Sequence, residues 1–393
     1  MSQRTKKELL EHWRPKYRQG GRGRKQQILD EFCELTGHDR KHAIKLMNGQ
    51  AGRRRNPPGR KRRYGEDVVP LLKALWERTD QLGSKHLVAA LPEWLPYYEE
   101  RTGSFDSALR EQLLTMSAAT VDRLLAPYRV QTESWRRRMP KPGTILRAQI
   151  PVRTGPWQVE GPGWMEVDTV PHCGGSMAGN FLWSLTFTDI HTGWTCGRAI
   201  WNCGQHGVVE AVQEVEASLP FPLLGFDSDN GHEFINHHLR RYLVDRPRAV
   251  DFTRSRAYHK NDNAHVEQKN WTHVRQLLGY ERLEHPELVE AVNDLYRTAW
   301  DPLKNFFIPS VKLTHKQRIG SRYRKKYDAP QTPFRRLMTS GGLNRKAKKT
   351  LMDYKRSINP LILKEQVETN LRKIWALVQK LDKKEMSKWE QTG

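Results

Sequence analysis

Three short strings carry acids of a kind and order that suit phosphodiester chemistry. They are WMEVDTV around Asp168, GFDSDNGHEF around Asp229 and HKNDNAHVEQKN around Glu267. Cleaving or joining a phosphodiester requires charge to be stabilised on both the attacking and the leaving oxygen. Two divalent cations about 3.5 to 4 Å apart act as a clamp for such an in-line displacement. Mg²⁺, or Mn²⁺ in its place, takes hard oxygen ligands and keeps several waters, so two or three carboxylates per site suffice. A lone strand aspartate, turn aspartate or helical glutamate says little. Their joint order within one basic chain is informative.

These acids need particular elements to bring them together. Trp164 to Val170 and Phe181 to Ile190 read as strands around a glycine-rich hairpin (CGGSMAGN), and Trp194 to Ile200 as a third. Val208 to Leu219 reads as a helix, Leu223 to Asp227 as a short strand, Glu233 to Val244 as a helix and Ala249 to Thr253 as a strand. A long helix over Ala264 to Leu278 completes the series. Three antiparallel strands followed by alternating helices and strands make an α/β layered domain of ribonuclease-H-like order. Asp168 then falls inside the first strand, where it is costly without a partner. Asp229 falls just past a strand's C-terminal end, where open α/β sheets place their sites. Glu267 sits on a helix with Asn263 and Asn270 about one turn away on its face. Asp227 lies two residues from Asp229, so spacing alone leaves the choice between them open. Glu166 shares the strand face of Asp168, as a supporting residue or an ion-pair partner, and Asp189 is also near in sequence order. His172 reads as a satisfied structural histidine.

Upstream, residues 24–48 suggest two short helices around a tight turn. Ile28, Leu29, Phe32 and Leu35 form one stripe, Gly37 is a left-handed stop and Asp39 a cap. Ala43, Ile44 and Met47 are the apolar positions of the second helix. Arg40, Lys41 and Lys45 decorate it, as expected of a helix-turn-helix recognition helix. A basic joint follows in which Arg53, Arg54 and Arg55 are suited to phosphates or a minor groove. A second helix-turn-helix-like module is expected between about 64 and 129. Ser117 caps its final helix, Ala118 to Leu125, which carries Arg123. The expected domains are therefore 1–60, 61–130, a basic linker 131–160, the catalytic core 161–285 and a basic, mainly helical region 286–393. Within that last region, KLTHKQRIGSRYRKKYDAP is expected to be irregular. Leu363, Val367, Leu371, Ile374, Val378 and Leu381 mark a helix packed on its own domain in preference to a coiled-coil seam.

Composition agrees with a polyanionic partner. Lysine and arginine number 67 against 44 acids, a formal charge of +23, so duplex DNA should be attracted and salt should weaken the attraction steeply. Residues 1 to 30 lack an apolar leader core, and no window reaches the ~18 to 20 apolar residues of a membrane span. A cytoplasmic, DNA-associated protein without membrane contact is expected. The four cysteines, Cys33, Cys173, Cys196 and Cys203, match no paired zinc spacing even with His172, and a reducing setting disfavours disulfides.

The first carboxylate on strand one, the SDNGHEF string, and the third acid 38 positions beyond Asp229 resemble the DDE transposase and retroviral integrase superfamily. TRSRAYHKNDNAHVEQKNW, NFFIPSVKL and YDAPQTPFRRLM are similar to bacterial insertion-sequence transposases with an integrase-type core. The resemblance implies metal ligands at Asp168, Asp229 and Glu267, two Mg²⁺ or Mn²⁺ ions, and a loop shaped by Asn230 and Gly231. It also implies DNA contacts from Lys260, Asn263 and Lys269. Asp229 is preferred over Asp227 because it precedes Asn230-Gly231 as in the family. The zinc-binding N-terminal domain of retroviral integrases is absent, and the helical modules stand in its place. The implied activity is binding of mobile-element ends, cleavage to a free 3′-hydroxyl and joining to target DNA, with at least a dimer assembled on DNA. Two alternatives are a catalytically silent DNA-binding regulator and a ribonuclease-H-like nuclease that cleaves without joining.

Overall fold

The computed structural model describes residues 3–49, 64–65, 67–129, 159–228, 233–234, 236–254, 269–319 and 322–392. The chain divides into two compact units, residues 1–65 and 66–393.

The first unit holds three helices, α1 (Gln3–Gln19), α2 (Arg22–Thr36) and α3 (Arg40–Met47). Gly37, at φ +71°, ends α2 and donates its amide to the Cys33 carbonyl at 2.8 Å. Asp39 caps α3 by accepting from the amides of Lys41 (2.8 Å) and His42 (3.2 Å), the arrangement that offsets the unpaired donors of a helix start. Ile28, Leu29, Phe32, Ala43 and Met47 are buried together with Tyr17 of α1. Leu35, expected on the buried stripe, is 55% exposed. Helix α1 covers the other side of this small core with Leu9, Leu10, Trp13 and Tyr17.

In the second unit, α4 (Val68–Arg78), α5 (Ser84–Thr102), α6 (Ser107–Leu114) and α7 (Ala118–Leu125) come first. Ser117 caps α7 through the Thr120 amide. A mixed five-stranded sheet follows, formed by β1 (Trp164–Pro171), β2 (Leu182–Asp189), β3 (Thr195–Trp201), β4 (Gly225–Ser228) and β5 (Asp251–Arg254), in the order β3-β2-β1-β4-β5. β2 is antiparallel to β1 and β3, whereas β4 is parallel to both β1 and β5. Helices α8 (Gln205–Ser218) and α9 (His237–Val244) lie between β3, β4 and β5 in sequence. This mixed α/β architecture is compatible with a ribonuclease-H-like core. It starts β4 and β5 two residues later, and α9 four residues later, than the sequence pattern suggests.

Strand alternation gives the sheet two unlike faces. Met165, Val167, Phe187, Phe226 and Phe252 share one face by register, with ring contacts of 5.6 Å between Phe226 and Phe252 and 6.4 Å between Phe187 and Phe226. The other face is polar around Asp168. Over it lies α10, a π-helical segment (Asn270–Arg275) continuing as Gln276–Leu278. A second helical run follows, made of α11 (Leu288–Leu295), a π-helical segment (Tyr296–Trp300) and α12 (Asp301–Phe307). Tyr296 reaches Ser184 of β2 (2.9 Å) and packs where a Cβ on Gly197 would come within 2.7 Å of its ring. Glycine at 197 is thus required by the close approach of helix to strand.

This helical run also closes the sheet edge at β3. Asn305 accepts from the Thr195 amide (2.9 Å) and donates to the Thr195 carbonyl (2.8 Å). Asn293 does the same at Ala199 (2.7 and 3.0 Å), and Asp301 accepts from the Gly197 amide (3.1 and 3.2 Å). Three side chains thus stand in for a neighbouring strand and blunt an edge that would otherwise invite another. Burial pushes the Asp301 carboxyl up to about 7, against the lowering effect of Arg198.

The basic stretch expected to be irregular is a two-stranded antiparallel ribbon, β6 (Leu313–Ile319) and β7 (Arg322–Tyr327). Charge hides its alternation, because lysine and arginine occupy both faces. Helices α13 (Pro333–Thr339), α14 (Arg345–Ser357) and α15 (Pro360–Thr392) finish the unit. Leu361, Leu363, Val367 and Ile374 are buried in it, so the tail packs on its own unit. Helices α4–α7 join the same body: the Trp94 indole donates to the Phe307 carbonyl at 3.0 Å, and Glu93 receives both Arg335 (2.9 Å) and Lys355 (2.5 Å).

Asn305 is 2% exposed, and replacing it with alanine strands an amide and a carbonyl of β3. Asn305→Ala is expected to lower folding stability by about 1 to 3 kcal/mol, read as a shift of the urea midpoint at unchanged slope. A shift below about 0.5 kcal/mol, the range of ordinary surface substitutions, would mean that the edge needs no such cover.

Candidate active site

Register determines which side chains meet. Glu166 of β1 stands opposite Asp227 of β4 and Thr188 of β2, while Asp227 stands opposite Thr253 of β5 and Thr188 opposite Thr195 of β3. One row across the whole sheet therefore reads Thr253, Asp227, Glu166, Thr188, Thr195, all on the face covered by α10 and the 288–307 helical run. Glu166 and Asp227 are fully buried, and the Thr253 hydroxyl donates to Asp227 at 2.5 Å. Packing two carboxylates side by side away from water is expensive unless donors or cations compensate.

Asp168 lies two residues along β1 on the same face, opposite Thr186, and is half-buried. Its Oδ1 accepts from the Thr169 amide (2.8 Å), and its Oδ2 accepts from the Asn270 side-chain amide (2.6 Å). The sequence marks Asn270 only as a neighbour of Glu267; the fold makes it the group that orients Asp168. The other Asn270 atom, Oδ1, and the Thr186 hydroxyl are buried with no hydrogen-bond partner among the described residues. The Asp168 carboxylate, Asn270 Oδ1 and the Thr186 hydroxyl are hard oxygens, of a kind that suits a hydrated divalent cation better than an apolar ligand.

Glu233 escapes the sequence analysis as a site residue, although the string around Asp229 contains it. It is buried, accepts from the Thr169 hydroxyl at 2.8 Å, and its backbone carbonyl receives the Asn236 side chain at 2.6 Å. Thr253 was likewise invisible as a partner of Asp227, since only the parallel pairing of β4 with β5 reveals it. Arg282 is a third. It donates to the carbonyls of Cys173, Ser176, Ala178 and Asn180, over 2.8 to 3.3 Å, and so holds the glycine-rich hairpin that follows β1.

Asp229, Asn230, Gly231, Lys260, Asn263, Glu267, Arg53, Arg54 and Arg55 lie outside the described residues. Arg40, Lys41 and Lys45 are exposed on α3, with Arg40 paired to Asp30. Arg123 is exposed on α7 and turned back on Thr120 at 3.1 Å. Lys269 is half-buried at the start of α10; burial, reinforced by Lys304 and Arg336, lowers its ammonium to about 7. His273 is driven well below its ordinary value, by burial first and then by Lys269 and Lys304. Asp189 faces away from this group. It sits opposite Met165 and ties the β2–β3 turn to the amides of Gly163 (2.8 Å) and Thr192 (2.7 Å).

His172 is fully buried, and its Nε2 lies 2.8 Å from Ser184, which in turn meets Tyr296. Among the described residues no three His, Cys, Asp or Glu side chains gather as a metal site, and the four cysteines are free thiols. A cavity of about 660 Å³ beside β3, lined by Cys196, Arg198, Asp301 and Tyr354 among others, shares none of the acids of the polar row.

No family model matches the chain. It is 41% identical over 345 residues to "Uncharacterized protein y4rM" of Sinorhizobium fredii (strain NBRC 101917 / NGR234), spanning 86% of this chain and 96% of that protein. The chain belongs to the y4rM family. Among solved structures, the catalytic core domain of BIV integrase aligns with 30% of this chain and 70% of its own at 16% identity. The TM-score is 0.24, too low to carry an argument.

One consequence of the buried network can be measured. Burial, with Arg275 adding to it, lowers the His172 imidazole to about 3. Between about pH 6.5 and 3 the unfolded chain binds a proton at this position that the folded chain refuses, so stability is lost as pH falls through that window. The slope for one proton is at most about 1.4 kcal/mol per pH unit. His172→Gln is expected to flatten the acid limb of a stability–pH profile relative to the parent; an unchanged limb would show that His172 is not sealed from solvent.

Proposed function

We propose that this chain is a DNA transposase of the DDE type, a polynucleotidyl transferase that cleaves element ends and joins them to target DNA. The observation that carries the reading is the Asp168 carboxylate, held by Asn270 on the polar face of β1. The register that pairs Val167 with Ser228 ends one residue short of Asp229, the acid that the sequence resemblance pairs with Asp168. No helix among the described residues is long and apolar enough to cross a membrane.

Asp168, Asp229 and Glu267 are the proposed holders of two Mg²⁺ or Mn²⁺ ions. When bound, such ions supply Lewis-acid stabilisation of the attacking and leaving oxygens. Asn270 fixes the direction of the Asp168 carboxylate, and the Thr169–Glu233 contact braces the strand beside it. Hydrolysis adds water across one P–O bond, leaving a 3′-hydroxyl on the element and a 5′-phosphate on the flank. Joining forms one P–O bond from that hydroxyl to a target phosphorus and breaks another, releasing a target 3′-hydroxyl. Bond count is conserved in the second step, so no nucleotide triphosphate is needed. Sequence-specific end binding is assigned to residues 1–130, through Arg40, Lys41, Lys45, Arg53, Arg54, Arg55 and Arg123, with Lys260, Asn263 and Lys269 nearer the scissile phosphate. Asn230 and Gly231 shape the loop at Asp229. Two ends must be handled together, which calls for at least a dimer on DNA.

The test incubates the purified chain with labelled element ends, target plasmid and Mg²⁺ or Mn²⁺. Joined products are expected from the parent, and Asp168→Asn or Asp229→Asn should lower joining by at least about 10³-fold with end binding within about twofold. Cleavage without joining would make the chain a nuclease. A shift without either product would make it a binding protein, and loss of end binding in step with joining would make the two acids structural.

A further inference from the structure

The ribbon β6–β7 has no core of its own. Every described side chain on Leu313–Ile319 and Arg322–Tyr327 is exposed, on both faces. Residues 313–327 include six lysines and arginines, one histidine and no acid. The register sets Lys316 opposite Lys325. Like charges directly opposed across a strand pair destabilise it, and a lone two-stranded ribbon is marginal in water even without that burden. Such an element is better stabilised with a polyanion against it.

Its root, by contrast, is firmly built. Ser310 and Gln331 exchange backbone hydrogen bonds (2.9 and 3.1 Å), and the Asp328 amide donates to the Lys312 carbonyl (3.0 Å). Asp328 also caps the Lys312 amide at 2.6 Å. The buried Arg336 guanidinium then ties both sides together, donating to the Ser310 carbonyl (2.6 Å) and hydroxyl (2.9 Å), the Gln331 carbonyl (3.1 Å) and the Asp328 carboxylate (3.0 Å). A rigid stem therefore presents an arm of six or seven residues per strand, about 20 Å long, with cations on both faces. The Lys312 ammonium reaches the His191 carbonyl at 2.5 Å, so the stem leaves the body at the β2–β3 turn, the sheet end beyond Asp189 and away from the C-terminal ends of β1 and β4.

We infer that β6–β7 is a duplex-DNA-binding arm that lies in the major groove, at a distance from the acidic face. The B-form major groove is about 12 Å wide and admits a two-stranded β-ribbon. Arg322, Arg324, Lys325 and Lys326 would meet phosphates and base edges along it, while both exposed edges of the ribbon face the groove walls. This goes beyond the catalytic reading and does not depend on it, because a chain without nuclease or joining activity would use the arm in the same way. The rival reading is that these cations only keep two open strand edges from pairing with other chains.

The test compares the full-length parent with the fourfold variant Arg322→Gln, Arg324→Gln, Lys325→Gln, Lys326→Gln by fluorescence anisotropy. The probes are a 30-base-pair random-sequence DNA duplex and a double-stranded RNA of equal length, titrated from about 50 to 300 mM KCl. Each phosphate contact contributes about 0.9 to the log–log salt slope, so the slope for DNA should fall by about 2 to 4. DNA affinity near 100 mM salt should drop at least about tenfold. The A-form major groove is too deep and narrow for a ribbon, so the loss on RNA should be at least about tenfold smaller. An unchanged slope and affinity on DNA would overturn the proposal, and a variant that aggregates while binding DNA normally would establish the edge-protection reading in its place. Equal losses on DNA and RNA would reduce the arm to non-specific attraction and overturn the groove assignment. If the fourfold variant melts earlier than the parent, the single exposed change Lys325→Glu repeats the comparison: the DNA slope should fall by about 1, and an unchanged slope and affinity would overturn the proposal.

Discussion

The parallel pairing of β1 with β4 is the constraint on which the rest of the second unit depends. It sets Glu166 beside Asp227 in the middle of a sheet and, two residues on, brings Asp168 to the same face. A face that carries buried carboxylates cannot be covered by an ordinary apolar helix. It is covered instead by helices that bring polar partners: Asn270 donates to Asp168, and the Tyr296 hydroxyl meets that of Ser184. The opposite face, with Met165, Val167, Phe187, Phe226 and Phe252, holds the hydrophobic cohesion that makes such a polar layer tolerable. The 288–307 helical run has a second task in closing the β3 edge, so a single run of chain both roofs the polar face and ends the sheet.

Electrostatics follows the same division. The chain carries a formal charge of +23, yet around the site its cations are muted. Burial lowers Lys269 to about 7 and Lys304 to about 8, and His273 is driven down with them. Arg322, Arg324, Lys325 and Lys326 stand on exposed strands, where cations attract phosphate at long range. Focused acids inside a basic exterior are the arrangement expected when a polyanion must be held while hard cations are retained beside it.

Much of this was legible because it is local. Gly37 and Asp39 end one helix and begin the next through contacts within four residues, and Ser117 does the same for α7. The five strands show as strand-like or short apolar runs between turn residues, so their sequence order and the position of Asp168 inside the first of them were readable in advance. Other features are written in pairings between distant residues. Thr253 meets Asp227 across 26 positions, Thr169 meets Glu233 across 64, and Asn270 meets Asp168 across 102. No periodicity reports contacts of that length. The ribbon β6–β7 was obscured differently, since cationic residues on both faces erase the apolar–polar alternation by which strands are recognised. Helix α1 was passed over because its stripe of Leu9, Leu10, Trp13 and Tyr17 sits in a strongly polar segment.

The central claim is that the carboxylate face around Asp168 takes hard divalent cations. Titrating the full chain with Mn²⁺ and following free Mn²⁺ by electron paramagnetic resonance tests it directly, without DNA and without turnover. Saturable uptake approaching two ions per chain is expected for the parent, and Asp168→Asn should remove at least one of them at an unchanged thermal midpoint. Uptake that never saturates, or that is indifferent to Asp168, would contradict the account.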